Sequence, residues 1–191
     1  MNQLIFATNN QHKVEEMNLA LKGKFSIKSL KEAGIDIDIP EPYNTLEENA
    51  ITKAKTIFQL TNADCFSEDT GLEVAALNGE PGVKSARYAG EKAEFSDNVD
   101  KLLLNMQDKQ DRTAQFKTII ALIKEGQEYL FEGICKGMIL KERQGGKGFG
   151  YDPVFMPEGS SKSFAEMTME EKNIYSHRRK AADKLVEFLS K

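Results

Sequence analysis

The residues of this sequence best suited to chemistry stand in polar segments that follow apolar, strand-like runs. Glu68 and Asp69 come directly after the run around Cys65 and Phe66, and adjacent acids at a strand end need a cation or a hydrogen-bond donor nearby. A carboxylate here can hold a metal ion or activate a water molecule. An ordinary turn, with Gly71 allowing a sharp bend, is the alternative interpretation.

A second polar segment, Thr8-Asn9-Asn10-Gln11-His12-Lys13, lies between a strand-like run and a helical pattern. Its hydroxyl, amide and ammonium groups, placed at a helix N-terminus, suit the oxygens of a phosphate. Asn9 and Asn10 are also typical helix-capping residues, which would leave Lys13 in solvent. The residues alone do not separate these two interpretations.

Two acids and a lysine form a third group. Glu41, in a Pro-flanked loop, and Glu48 offer the hard oxygen ligands that suit Mg²⁺, and Lys53 could meet a phosphate. The run Thr45-Leu46-Glu47-Glu48 is also typical of a capping box, which would give Glu48 a structural role. Solvent-exposed charges are the alternative for both acids.

The remaining candidates lie in the second half of the chain. The glycine-rich residues 145–153 do not open a helix, so they are not a dinucleotide-binding fingerprint, and the sequence has no Walker-type phosphate loop. They could wrap a flat base with Phe149 or Tyr151 stacked on it, or form a flexible crossing. Lys172 and the basic residues 177–179 near a helix start oppose the helix dipole, which indicates a bound anion or a solvated basic turn.

These segments must be positioned by alternating strands and helices. Residues 3–7 and the helical spacing from Val14 to Leu21 predict a βα unit whose polar loop follows the strand. After the acidic segment a strand is expected to resume at 72–77, and residues 112–140 predict a β-hairpin. A last helix is expected from about Ser176.

Composition excludes several function classes. The chain has 191 residues, a net charge of −4 and two cysteines. The acidic balance argues against long nucleic acid as a partner, and no apolar run reaches the roughly 18 residues of a membrane span. Cys65 and Cys135 are expected to be buried thiols in a reducing cytoplasm. We expect one mixed α/β domain over residues 1–191 that takes a small anionic ligand.

The segments together resemble the inosine triphosphate pyrophosphatase family. Six motifs follow the family's order from residue 6 to residue 178 and so cover nearly the whole chain. They are Phe6-Ala7-Thr8-Asn9-Asn10-Gln11-His12-Lys13, Glu48-Asn49-Ala50-Ile51-Thr52-Lys53-Ala54, Glu68-Asp69-Thr70-Gly71-Leu72-Glu73-Val74, Gly79-Glu80-Pro81-Gly82-Val83-Lys84-Ser85-Ala86-Arg87-Tyr88, Gly148-Phe149-Gly150-Tyr151-Asp152-Pro153-Val154-Phe155 and Ser176-His177-Arg178.

The resemblance implies an α/β fold with a long mixed β-sheet, flanking helices and two lobes around a central cleft. It also implies a cytoplasmic homodimer that depends on Mg²⁺. The implied reaction is hydrolysis of noncanonical purine nucleoside triphosphates (dITP, ITP, XTP) to the monophosphate and pyrophosphate. A pyrophosphatase for modified pyrimidine triphosphates and a catalytically silent nucleotide sensor are the alternatives.

By resemblance, Asp69 is the catalytic acid, which binds metal and helps to activate water, and Glu41 is the second metal carboxylate, with Glu48 as the alternative. The triphosphate is assigned to Thr8, Asn9, Asn10, Lys13 and Lys53, with Thr70 beside it. The base and sugar pocket is assigned to Phe149, Gly150, Tyr151, Asp152, Lys172, His177 and Arg178. Many bacterial members have Asp-Asp-Ser-Gly where this chain has Glu68-Asp69-Thr70-Gly71, a change that keeps the central acid.

Overall fold

A computed structural model of the protein describes residues 3–21 and 23–191. The strands in this part of the chain are β1 (Gln3–Phe6), β2 (Ser26–Ser29), β3 (Cys65–Val74), β4 (Pro81–Gly82), β5 (Thr113–Lys124), β6 (Gln127–Ile139) and β7 (Phe155–Pro157). The α-helices are α1 (Gln11–Leu21), α2 (Leu46–Thr61), α3 (Phe95–Asn105), α4 (Met169–Tyr175) and α5 (His177–Leu189).

The strands form one mixed sheet in the order β2-β1-β3-β5-β6-β7, with β4 paired to β3. Strand β1 runs parallel to both β2 and β3, whereas β4 and β7 run antiparallel to their neighbours β3 and β6. The predicted fold class, α/β with a long mixed sheet and flanking helices, is therefore confirmed.

The hairpin predicted for residues 112–140 is present as β5 and β6. Its two-residue turn consists of Glu125, with φ 51°, and Gly126, with φ 76°. Two successive positive φ values define the turn type whose twist matches that of the flanking strands. The turn thus fixes the register of the two longest strands.

The turn at residues 68–71, given as the alternative interpretation, is not present. Strand β3 runs without interruption from Cys65 to Val74, and a short 3₁₀ turn, not a resumed strand, follows at Ala75–Leu77. Gly71 is required for a different reason: a Cβ at this position would lie 2.7 Å from the carbonyl oxygen of Gly82. The glycine allows β4 to approach β3 closely, and it does not bend the chain.

The C-terminal region also differs from expectation. The last helix begins at His177, close to the predicted start, but the short helix α4 precedes it. Thr168 caps α4, since its hydroxyl accepts from Glu171 N–H while the Glu171 carboxylate accepts from Thr168 N–H. Such a reciprocal pair satisfies two of the unpaired N–H groups at the helix start.

The chain divides into two compact units. The first unit comprises Met1–Asp69, Thr118–Gly133 and Arg178–Lys191, and the second comprises Thr70–Lys117 and Ile134–His177. Each unit has its own apolar core. In the first, Phe6 and Phe66 stack with ring centroids 4.5 Å apart, and in the second, Phe116 meets Phe155 at 4.7 Å.

Candidate active site

Lys53 is the centre of a charged cluster in the first unit. Helix α2 begins at the Thr45 cap and buries a stripe of small and apolar side chains, and Lys53 lies on that stripe with 7% of its surface exposed. Its ammonium group contacts the Glu41 carboxylate, donates to the Glu68 carbonyl oxygen at 2.8 Å and lies 3.6 Å from Asp69 Oδ1. A buried ammonium needs such partners, because desolvation without them is strongly unfavourable.

The loop that carries Glu41 is tied to helix α2. The Asn49 side chain accepts from Tyr43 N–H at 3.1 Å and donates to the Tyr43 carbonyl oxygen at 3.2 Å. Asn49 is buried and lies four residues before Lys53, so one helix face fixes both the loop and the lysine that Glu41 contacts. Glu48 is exposed and accepts from the Thr45 hydroxyl at 2.7 Å.

Glu68 is buried, and its carboxylate is committed to cations of the first unit. Arg178 binds it through two hydrogen bonds of 2.7 Å each, and Lys13 Nζ lies 3.3 Å away. Arg178 also contacts Glu16 of helix α1. Burial acts to lower the pKa of Arg178, but the charges of Glu68 and Glu16 outweigh it and hold that pKa above its ordinary value.

The loop between β1 and α1 provides the expected helix cap, and Lys13 makes an ion pair. The Asn10 side-chain oxygen accepts from Lys13 N–H at 3.2 Å, so Asn10 caps the helix, and Asn10 N–H donates to the Thr8 hydroxyl at 3.1 Å. Asn9 donates to the Ile37 carbonyl oxygen at 3.0 Å. Lys13 extends to Glu68, which places its charge in the cluster around Lys53.

The donor set of this cluster fits a divalent metal. No group of three or more His, Cys, Asp or Glu side chains is arranged to hold a metal ion within residues 3–21 and 23–191. Glu41 and Asp69, however, meet on the same cation, Lys53. Mg²⁺ is typically held by one or two carboxylates together with substrate phosphates, so a two-carboxylate arrangement suits it.

In the second unit, Asp152 organises the glycine-rich segment. Its Oδ2 atom accepts from Lys172 Nζ at 2.6 Å and from Phe149 N–H at 2.9 Å. A Cβ on Gly148, whose φ is 76°, would lie 2.0 Å from the same oxygen. The glycine is therefore needed so that the chain can wrap around the carboxylate.

Aromatic rings surround this ion pair. Lys172 Nζ lies 5.1 Å from the ring centroid of Phe149 and 5.2 Å from that of Phe164. Phe149 and Gly150 are half-buried, whereas the Tyr151 hydroxyl is buried and donates to the Ser85 carbonyl oxygen at 2.7 Å. Burial raises the pKa of Tyr151 well above its ordinary value.

His177 and Arg178 are adjacent in sequence and fall in different units. His177 is buried in the second unit, where its ring stacks on Phe116 with centroids 4.7 Å apart and planes inclined by 16°. Arg178 belongs to the first unit and pairs with Glu68. Thr70 is half-buried and follows Asp69 directly on β3.

The structure therefore brings the candidate residues together in two groups. In the first unit, Lys53 contacts Glu41 and Asp69 directly. Lys13 and Arg178 both contact the Glu68 carboxylate. The residues of the second unit that contact one another are Phe149, Asp152 and Lys172. Asn49 was named within a motif but given no role, and Glu16 was missed. The position of Asn49, four residues before Lys53, was a signal for the first, and the sequence held none for the second.

The fold and the charged clusters together indicate the class of ligand that the protein binds. A mixed α/β sheet positions the buried Lys53 and the half-buried Lys13 beside carboxylates in one unit and a ring-lined ion pair in the other. Convergent cations with carboxylates suit a metal-bound phosphate ester or anhydride.

In the described part of the chain, no helix combines the length and apolar character needed to cross a membrane.

Comparison with known proteins identifies the family. The Ham1 family model matches residues 4–188, and the chain belongs to that family. It is 51% identical to the dITP/XTP pyrophosphatase of Flavobacterium psychrophilum, over 97% of this chain and 98% of that protein. It is 50% identical to the protein of the same name from Porphyromonas gingivalis, over 99% and 98%. The family membership predicted from six motifs is confirmed.

Solved structures agree with the fold. A HAM1 protein from Coxiella burnetii superposes with a TM-score of 0.90 at 35% identity, covering 100% of this chain and 99% of that one. The Ham1 protein of Staphylococcus aureus gives a TM-score of 0.88 at 37% identity, with 98% of each chain covered.

Proposed function

We propose that this protein hydrolyses noncanonical purine nucleoside triphosphates (dITP, ITP and XTP) to the nucleoside monophosphate and pyrophosphate, and so cleanses the nucleotide pool. The observation that carries the proposal is the meeting of Glu41 and Asp69 on Lys53. It occurs in a chain that is about half identical to proteins named dITP/XTP pyrophosphatase.

The first unit is proposed to bind the triphosphate. Lys13 and Lys53 provide positive charge for phosphate oxygens, and Thr8, Asn9 and Asn10 lie at the start of α1, where backbone N–H groups favour anions. Thr70 adds a hydroxyl next to Asp69. Glu41 and Asp69 would hold Mg²⁺, which when bound neutralises phosphate charge and polarises the phosphoryl group. Asp69 orients the attacking water.

The base and sugar are assigned to Phe149, Gly150, Tyr151, Asp152, Lys172, His177 and Arg178. A half-buried ring beside a lysine suits a flat heterocycle. Hypoxanthine and xanthine present a carbonyl at C6, where adenine presents an amino group. A donor from His177 that pairs with this carbonyl would leave an adenine amino group unsatisfied, a penalty of about 1–3 kcal/mol.

We further propose that the enzyme is a cytoplasmic homodimer whose cysteines stay reduced. Both thiols are buried, and Cys65 Sγ donates to the Ala54 carbonyl oxygen at 3.2 Å. Burial raises the pKa of Cys65 to about 12, which leaves little thiolate for oxidation.

Sedimentation of the purified protein tests the dimer, since a monomeric mass at micromolar concentration would contradict it.

The experiment is pyrophosphate release by purified protein with Mg²⁺. We expect kcat/KM for dITP and XTP to exceed that for dATP by about a hundredfold, a ratio within reach of hydrogen-bond discrimination at C6. A similar preference over dGTP is expected, but it must come from other contacts, because guanine carries the same C6 carbonyl. Activity should disappear with EDTA and return with excess Mg²⁺. A preference for dUTP or dTTP would favour a pyrimidine pyrophosphatase, and tight dITP binding without turnover would favour a silent sensor.

A further inference from the structure

Phe95, the first residue of helix α3, contacts the ring proposed to stack on the base. Its ring centroid lies 6.0 Å from that of Phe149, with the planes inclined by 51°. This tilted geometry is one that aromatic pairs favour, because the edge of one ring is positive and the face of the other negative. Phe95 remains 45% exposed, so burial in the core does not account for its placement.

The start of α3 is held to the segment that carries Phe149. Arg143 donates to the Ser96 carbonyl oxygen at 3.0 Å and contacts the Ser96 hydroxyl at 3.3 Å. The same guanidinium lies 2.9 Å from Asp100 Oδ1, one helical turn further on. Arg143 and Phe149 belong to the stretch between β6 and the 3₁₀ turn at Asp152, so this tether holds Phe95 beside Phe149.

The helix start is itself well defined. Glu94 caps α3, and its N–H donates to the Asp97 carboxylate at 2.8 Å in a capping box. Phe95 therefore projects from an ordered first turn. The Phe149 ring then has two restraints on its plane: Lys172 over its face, 5.1 Å from the centroid, and the tilted Phe95 ring.

We propose that Phe95 is a positioning residue for the base: it fixes the plane of the Phe149 ring on which the base stacks. This inference rests on the proposed function, since it assigns Phe149 to the base. Loss of the Phe95 ring should weaken binding of ligands that contain a base and should leave binding of base-free phosphate ligands unchanged. Stacking depends on the relative orientation of two planes, whereas phosphate binding does not.

The test compares the two products of the proposed reaction as ligands. We expect Phe95→Ala to raise the Kd for IMP about three- to tenfold, the factor that corresponds to the interaction free energy of one aromatic pair. The Kd for Mg²⁺-pyrophosphate should stay unchanged. The KM for dITP should rise by the same factor with kcat retained, and Phe95→Tyr should restore both values. Leu104→Ala is the matched control, because Leu104 lies on the same helix and is 68% exposed.

Every outcome decides the inference. An unchanged Kd for IMP in Phe95→Ala overturns it, and so does an equal loss for IMP and pyrophosphate, which would indicate a general loss of structure. A fall in kcat without a rise in KM also contradicts it. Wild-type protein that neither binds IMP nor hydrolyses dITP would refute the proposed function and this inference with it, whereas wild-type activity with an indifferent Phe95→Ala refutes the inference alone.

Discussion

The charged side chains of the two units have different surroundings. In the first unit, Lys53, Lys13 and Arg178 converge on carboxylates that come from separate elements. In the second unit, Lys172 pairs with Asp152 and lies over the faces of Phe149 and Phe164.

This difference separates two kinds of recognition. Lysines held beside carboxylates can bind phosphate oxygens and a metal ion together, as a triphosphate with its metal requires. A cation framed by rings favours a flat, polarisable group, as a base requires. We therefore expect substitutions in the first unit to lower turnover on every nucleotide, and substitutions in the second to change affinity and base preference.

The largest effect is expected from Asp69→Asn. The change removes one charge from the pair that meets on Lys53 while keeping the side-chain shape, so the protein should fold and kcat for dITP should fall at least about a hundredfold. Pyrophosphate release measures it, with Asp183→Asn on the exposed face of α5 as control. Turnover near that of the wild type would remove Asp69 from the catalytic role.

Glu41→Gln is expected to come next, and it distinguishes two candidate metal ligands. Glu41 contacts Lys53 beside Asp69, whereas Glu48 is exposed at the helix cap. Glu41→Gln should lower kcat about ten- to a hundredfold and raise the Mg²⁺ concentration needed for half-maximal rate.

Glu48→Gln is the matched control for Glu41→Gln. It should leave kcat unchanged and reduce the free energy of unfolding by less than about 1 kcal/mol, as loss of a capping contact does. If the two variants exchange these effects, Glu48 is the ligand and the Glu41 loop only supports Lys53.

In the second unit, Gly148→Ala is expected to raise KM about tenfold with kcat largely kept. A Cβ would lie 2.0 Å from Asp152 Oδ2 at a φ of 76°, and strain of about 1–3 kcal/mol would displace Phe149. Gly146→Ala is the control, because no heavy atom lies within 4 Å of its built Cβ. Equal KM values for both variants would mean that the wrapped segment does not position the base.

Local patterns predicted much of the fold and part of the site. The capping residue Thr45, the hairpin turn and the helix start at Asn10 were readable because each depends on residues within four positions. The Glu68–Arg178 pair joins residues 110 positions apart, so no local sequence pattern predicts it. The sequence therefore did not indicate that Arg178, which was assigned to the base pocket, forms a buried ion pair in the first unit.

Gly71 shows the same limit for the backbone. Glycine after two acids is typical of a turn, and the segment is instead a continuous strand against which β4 packs. The close approach involves Gly82, which is distant enough in sequence that only the folded sheet reveals it. Sequence therefore indicated which residues matter here and misassigned the reason for one of them.

The smallest predicted effect concerns base preference. His177→Ala should lower kcat/KM for dITP about five- to tenfold, the value of one hydrogen bond to the C6 carbonyl, and change dATP less. His177 also stacks on Phe116, so the alanine variant should lose stability as well. His177→Phe separates the two roles, because it keeps a ring against Phe116 and removes both ring nitrogens.

We expect His177→Phe to unfold at a higher temperature than His177→Ala while showing the same loss of dITP preference. Steady-state kinetics on dITP and dATP, with thermal unfolding of each variant, provide the comparison. Equal losses on both substrates would mean that His177 acts through packing alone, and the second unit would then owe its base preference to Phe149 and Lys172. A dITP preference retained in His177→Phe would lead to the same conclusion, since the phenylalanine side chain has no donor to pair with the carbonyl.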